Sequence, residues 1–203
     1  KAAEMAKEHS VEALMKGSLH TDELIHAVLG EPSLRTDRRI SHVFVIDASN
    51  YPRPLYISDA AINIYPTLED KRDIVQNAND LARALGVELP KVAILSAVET
   101  VSEKIRSTID AAALCKMADR GQITGGILDG PLAFDNAVSA DAARTKGIIS
   151  LVAGQADIFI MPDLEAGNML AKQLCYLADA DAAGVVMGAR VPIILTSRAD
   201  RTL

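Results

Sequence analysis

Two kinds of hydrophobic pattern alternate along this chain. Val43 to Ile46, Val92 to Leu95, Ile158 to Met161, Val185 to Met187 and Ile193 to Leu195 are continuous apolar runs of strand length, without polar alternation. Such runs are expected of strands buried on both faces of a mostly parallel sheet. Pro54 to Asp59 predicts a further strand with a partly polar face. Between the runs, apolar residues recur at helical spacing. Ile74, Ala78, Leu81 and Leu85 form one stripe behind Thr67, which suits a helix cap, and Gly86 permits a left-handed stop. Thr100 and Glu103 have the spacing of a capping box, with Ile105, Ile109 and Ala112 on the predicted core face and Gly121 ending the helix. Asp163 predicts the cap of a third helix carrying Leu170, Leu174 and Leu177. Strand and helix alternate, so the fold class is α/β, with mostly parallel sheets and flanking helices. The charged segment SLRTDRR at 33–39 reads as a candidate domain boundary.

Composition narrows the function classes more than the fold. A chain of 203 residues suffices for one large domain or two small ones. Aromatic residues make up 3% and tryptophan is absent, so small aliphatic side chains must fill the core. The net charge of −6 argues against a nucleic-acid partner, although single Arg and Lys residues remain able to bind a phosphorylated small molecule. Cys115 and Cys175 have no metal-ligand spacing around them and read as reduced thiols of a cytoplasmic protein. The histidines at 9, 20, 26 and 42 likewise show no metal spacing. GQITGG at 121–126 lacks the Gly-Lys-Ser/Thr of a phosphate-cradling loop. The opening residues lack the pattern of a signal peptide, and no apolar run is long enough to span a bilayer, so no membrane partner is expected. A helical pattern already under way at Lys1, without an initiator Met, makes the chain read as a fragment lacking both ends.

At three places polar and charged residues follow directly on an apolar run: DGPLAFDNAV at 129–138, MPDLEAGN at 161–168 and PIILTSRAD at 192–200. In an open α/β sheet, ligands bind beyond the carboxyl ends of the strands. In the last segment, Ser197 and Arg198 offer a hydroxyl and a guanidinium that can both reach a tetrahedral anion, although a surface turn with an ordinary Arg fits as well. In the first, Gly130 and Pro131 are expected to force a tight turn and let a ligand approach the backbone. Asp129 there either accepts from a ligand or bonds the turn's own amides, and Asp135 reads as a helix N-cap. In the middle segment, Asp163 and Glu165 suit a helix start and need no function. Gly167 and Asn168 have poor helix propensity, which a close backbone approach or an Asn side chain in a cleft would explain. Asp59, Asn63 and Pro66 mark a loop that is either well bonded or in ligand contact.

Taken in this order, the three segments resemble the phosphate acetyltransferase/phosphate butyryltransferase family, and the resemblance covers essentially the whole chain. It implies transfer of a short acyl group between coenzyme A and inorganic phosphate, with CoA as substrate, no further cofactor and no metal. It implies a two-domain architecture like that of the isocitrate/isopropylmalate dehydrogenases, with 1–33 and 177–203 in an outer α/β domain and 34–176 in an inserted one. It implies a homodimer or higher homo-oligomer. Ser197 and Arg198 become catalytic, Arg198 holding the phosphoryl group and Ser197 near the thiol and carbonyl. Asn168, Asp129, Gly130 and Pro131 become substrate-binding, and Ser197, Asn168 and Asp129 are expected to converge on one cleft. LHTDELIHAVL at 19–29 resembles the family's His-Ser-Thr segment, which makes Thr21 and His26 substrate-binding, with His26 where acetyltransferase members often carry Arg. KQLCYL at 172–177 departs from the acetyltransferases' Gln-Arg-Leu. These departures place the chain nearer the butyryltransferase-like branch, or the phosphate acyltransferase part of a bifunctional enoyl-CoA hydratase/phosphate acetyltransferase, and imply a butyryl-sized preference. The family's base falls at or past Leu203, and Asp200 stands too close to Ser197 and Arg198 to be assigned that role. The alternatives are a non-catalytic CoA- or acyl-phosphate-binding domain and a metal-dependent 2-hydroxy acid dehydrogenase. The latter needs an Asp cluster and a Lys-Tyr pair.

Overall fold

The structure is a computed structural model that describes residues 1–195. Its strands are β1 (Leu14–Met15), β2 (Ser41–Asp47), β3 (Leu55–Ser58), β4 (Lys91–Leu95), β5 (Ile127–Leu132), β6 (Ile158–Ile160), β7 (Asp181–Met187) and β8 (Ile193–Leu195). The helices are α1 (Ala2–Lys7), α2 (Thr21–Leu29), α3 (Leu68–Ala84), α4 (Arg106–Asp119), α5 (Phe134–Val138), α6 (Ala140–Thr145) and α7 (Leu164–Leu177). All eight strands hydrogen-bond into one sheet of order β1-β8-β7-β2-β3-β6-β4-β5.

Every apolar run of the sequence has become a strand, but the pattern did not carry direction. β3, β6, β4 and β5 are parallel neighbours, as are β1 and β8. β2 runs antiparallel to both β3 and β7, and β7 antiparallel to β8. What a continuous apolar run reports is burial on both faces, and β2 has it: Val43 belongs to one core cluster and Ile46 to another. The parallel region follows the expected rule, with Ile158 and Ile160 on one face of β6 and Phe159 on the other.

The two-domain, dehydrogenase-like architecture expected above is corrected by this sheet. One continuous eight-stranded sheet runs through the described residues, and helices cover both of its faces. On one face α3 and α4 bury Ile74, Val75, Ala78, Ala111 and Leu114 against Val92 and Ile94. On the other, α5 and α7 place Ala137 and Ala171 against Leu95 and Phe159. A third cluster gathers Leu24, Ile25 and Val28 of α2 onto Leu14, Val186 and Ile193 at the β1 end of the sheet.

The local signals explain where helices start and which faces they bury. Thr67 caps α3 in a full capping box with Asp70, and Gly86 follows its end at φ +98°. Asp163 caps α7 by accepting from the Ala166 amide at 2.9 Å. The box expected at Thr100 and Glu103 does not form. Thr108 instead reaches back, its hydroxyl donating to the Ser102 carbonyl and accepting from the Ser102 amide, both at 2.9 Å. α4 therefore starts at Arg106, and its buried face is Thr108, Ala111 and Leu114 while Ile109 is exposed. Asp135 sits inside the first turn of α5, with Ala133 at the N-cap, and pairs with Lys146 at 3.3 Å. In α7 the buried positions are Gly167 and Ala171, and Leu177 is exposed.

Candidate active site

The site is organised by the loop after β3. Asp59 is buried and its carboxylate holds that loop closed. Oδ1 accepts from the Ala61 and Ile62 amides at 2.9 and 3.0 Å, and Oδ2 from Asn63 Nδ2 at 2.6 Å and the Asn63 amide at 3.2 Å. Asn63 in turn donates to the Ile40 carbonyl at 2.9 Å and accepts from Arg39 Nε at 2.8 Å. Of the two readings open for Asp59 and Asn63, these contacts are those of a bonded loop. α7 docks on this loop through Gly167, where a Cβ would stand 2.5 Å from the Asp59 carbonyl oxygen. The poor helix former is there because only a glycine lets the two backbones approach. Asn168, one residue on, donates from Nδ2 to the Ala60 carbonyl at 3.1 Å.

Beside this contact lies a cavity of about 740 Å3, lined by Thr21 at the start of α2, Asn168 and Lys172 of α7, His42 of β2 and Leu195 of β8. Ala61, Ala171, Ala182, Ala183 and Gly184 give part of its lining little bulk, while Phe44, Tyr176 and Ile194 bound the rest. The structure thus brings Thr21 and Asn168 together. Leu195 is also the last described residue, and the sequence runs from it directly into Thr196, Ser197 and Arg198. Ser197, Arg198 and Asp200 themselves lie outside the described residues.

His26, Asp129, Gly130 and Pro131 do not line this cavity. His26 is exposed on α2. The DGPL segment is not a turn after a strand but the carboxyl half of β5, at the far edge of the sheet from β1 and β8. A Cβ at Gly130 would stand 2.7 Å from the Ile94 carbonyl oxygen, so the glycine serves the packing of β5 on β4. Asp129 Oδ1 accepts from the Gly130 amide at 2.8 Å, the local bond that competed with ligand contact in the sequence. Cys115 beside it is half-buried, and desolvation pushes its thiol up to about 12. It therefore stays a thiol rather than a thiolate near neutral pH. Among the described residues no three His, Cys, Asp or Glu side chains come together as a metal site, so the acid cluster of a metal-dependent dehydrogenase is not assembled there.

Reasoning from the sequence missed His42. Its side chain is 1% exposed, its ring meets Phe44 edge-on at 4.4 Å between centroids, and Nδ1 has no hydrogen-bond partner among the described residues. Burial pushes its pKa down from 6.5 to about 4, against an upward pull from Asp59. The group is neutral in the folded protein where the unfolded chain would protonate it. Between pH 6.5 and 4 the unfolded state binds more protons, so stability falls as the pH falls through that window. The expected loss from this group is about 3 kcal/mol. Urea unfolding at pH 7 and pH 4.5 should show a smaller loss in His42→Leu than in the parent. Equal losses would contradict the assignment.

Comparison with known proteins shows the family and the fold. Residues 1–202 match the family described as phosphate acetyl/butaryl transferase. The chain is 67% identical to a phosphate acetyltransferase of Rhizobium meliloti, over 98% of this chain and 64% of that one. It is 46% identical to a phosphate butyryltransferase of Clostridium acetobutylicum, over 98% and 67% of the two chains. Its structure matches a branched-chain phosphotransacylase from Enterococcus faecalis with a TM-score of 0.90 at 32% identity, covering 98% and 71%. The chain spans slightly less than two thirds of the length of the Rhizobium meliloti relative. The architecture to carry forward is the phosphotransacylases' own, and the chain belongs to the phosphate acetyl/butyryl transferase family.

Proposed function

We propose that the protein moves a short acyl group between coenzyme A and inorganic phosphate, and that the cavity beside β8 receives the acyl-CoA. The observation that carries this is the meeting of Thr21, Asn168 and Leu195 on one cavity, with Ser197 and Arg198 following Leu195 in the chain. Its volume of about 740 Å3 and its small alanine and glycine residues leave room for an acyl chain and the thiol end of CoA. In the forward direction a phosphate oxygen attacks the thioester carbonyl, the C–S bond breaks, and CoA leaves as a thiolate that takes up a proton. In reverse the thiol, with a pKa of about 8.5, must first lose that proton. In this reading Arg198 holds the phosphate by a two-pronged contact and Ser197 orients the carbonyl or thiol. No covalent acyl-enzyme is required, and CoA is a substrate rather than a resident cofactor.

The butyryl-sized preference is not carried forward. It rested on His26 and Cys175, and only Cys175 lines the cavity. The relative named as an acetyltransferase is 67% identical against 46% for the one named as a butyryltransferase. We therefore expect acetyl-CoA to be used at least as well as butyryl-CoA. Discrimination should be modest, because a methylene in an apolar pocket is worth about 1–3 kcal/mol. kcat/KM for the two esters at one phosphate concentration tests both points. A clear butyryl preference would restore the butyryltransferase-like reading. Absence of phosphate-dependent CoA release from either ester would leave only a binding domain. The reading sets the reaction in the cytoplasm and in a homo-oligomer. The Cys115 thiol fits the first, and the exposed Ile149 and Leu151 offer apolar surface for the second.

A further inference from the structure

We infer that His42 is a catalytic residue of this cavity, its Nε2–H donating a hydrogen bond to the thioester carbonyl oxygen of the bound acyl-CoA. The inference rests on the function proposed above and adds a group that the family motifs do not contain.

A buried polar atom without a partner costs about 1–3 kcal/mol, so an imidazole enclosed to 1% exposure with Nδ1 unpaired needs a reason. Nothing on its own strand supplies one. The carbonyl of His42 accepts from Ser58 Oγ at 2.9 Å, and that bond does not involve the ring. The ring's other edge points to the reason. A Cβ at Gly184 would stand 2.4 Å from Nε2 and 3.0 Å from Cε1. Gly184 pairs with Phe44 across β2 and β7, so it is the diagonal neighbour of His42 on the same sheet face. Both residues line the cavity, and a Cβ at 184 would collide with the Nε2 edge, so the glycine is what lets the ring lie there.

The tautomer follows from the same contacts. With the proton on Nε2, Nδ1 is left as a bare acceptor, and a buried acceptor without a partner is tolerated better than a buried N–H. The charged group that acts on the ring is Asp59, but burial dominates and keeps the imidazole neutral through the working pH range. A neutral donor polarises a carbonyl without binding phosphate or thiolate as an ion pair. Asn168 Nδ2 spends one of its two N–H groups on the Ala60 carbonyl, and Nε2–H adds a donor from β2 to the same cavity. When phosphate adds to the thioester, the negative charge that forms on the carbonyl oxygen faces Nε2–H. It returns to the carbonyl as the C–S bond breaks, and the imidazole keeps its proton throughout.

The test uses the protein as its gene encodes it. His42→Leu should melt no lower than the parent, because it removes an unpaired buried polar group at nearly constant volume. It should bind free CoA within about twofold of the parent, because CoA has no acyl carbonyl, yet lose about 10²–10³ in kcat/KM for acetyl-CoA. His42→Gln, which restores a donor, should recover at least about tenfold of that loss. If His42→Leu does not fold, Gly184→Ala carries the test, with a loss of about tenfold or more expected while the imidazole is retained. Parental kcat/KM in His42→Leu, or in Gly184→Ala when that variant stands in, overturns the inference and leaves the proposed function intact. Equal activity losses and lower melting in both His42 variants would mark a structural residue and overturn it as well. A parent without phosphate-dependent turnover would overturn the function and the inference together.

Discussion

Arg198→Ala is expected to lower phosphate-dependent release of CoA from acetyl-CoA by about 10²–10³ in kcat/KM. A guanidinium meets a tetrahedral anion through parallel N–H contacts that no neighbouring side chain can imitate. Its energetic effect is greatest where charge moves between phosphate, carbonyl and leaving thiolate in a site shielded from water. The loss should fall mainly on kcat and on the KM for phosphate, and binding of free CoA should change much less. Arg198→Lys should recover only part of it, since a point charge replaces a fork. Activity of Arg198→Ala within about twofold of the parent would remove Arg198 from the reaction.

Asp59→Ala should cost about 3–5 kcal/mol of stability and most of the activity. One buried carboxylate accepts from three backbone amides and from one N–H of Asn63 Nδ2, whose other N–H goes to the Ile40 carbonyl. Removing it leaves them unsatisfied inside the protein. The same loop presents the Asp59 and Ala60 carbonyls to Gly167 and Asn168, so the wall of the cavity moves with it. Asp59→Asn should lose less, because one carbonyl acceptor remains. Urea midpoints of the three proteins would show this order, and a parental midpoint in Asp59→Ala would contradict it.

These two residues also mark what the sequence made legible. The Asp59, Asn63, Pro66 segment was recognisable as a structured loop, but its role as the dock for α7 depends on a contact more than a hundred residues away in sequence. The DLEAGN segment was readable because Gly167 and Asn168 both oppose the helix that contains them, which demands a tertiary reason. Gly130 packs β5 on β4, a role the sequence did not separate from ligand approach, because a glycine that admits a neighbouring strand and one that admits a ligand look alike in one dimension. The strands were legible through two-sided burial, but burial is blind to direction, so β2 and β7 read as parallel. β1 was invisible, since two residues carry no period. α4 was placed too early because Thr108 reaches back to Ser102, a bond that competes with the helix start suggested by Thr100. His42 escaped because it was asked only for metal spacing. The informative signal was its place at the start of the apolar run Val43 to Ile46, a polar ring entering a strand buried on both faces.

The most direct test of the account is the structure of the protein with coenzyme A bound. We expect the thiol end of CoA in the cavity bounded by Thr21, Asn168 and Leu195, within reach of the Ser197 hydroxyl and with the His42 edge on the acyl side. CoA bound with its thiol elsewhere, for example in the basic depression formed by Arg35, Arg38 and Arg39, would contradict the assignment of this cavity.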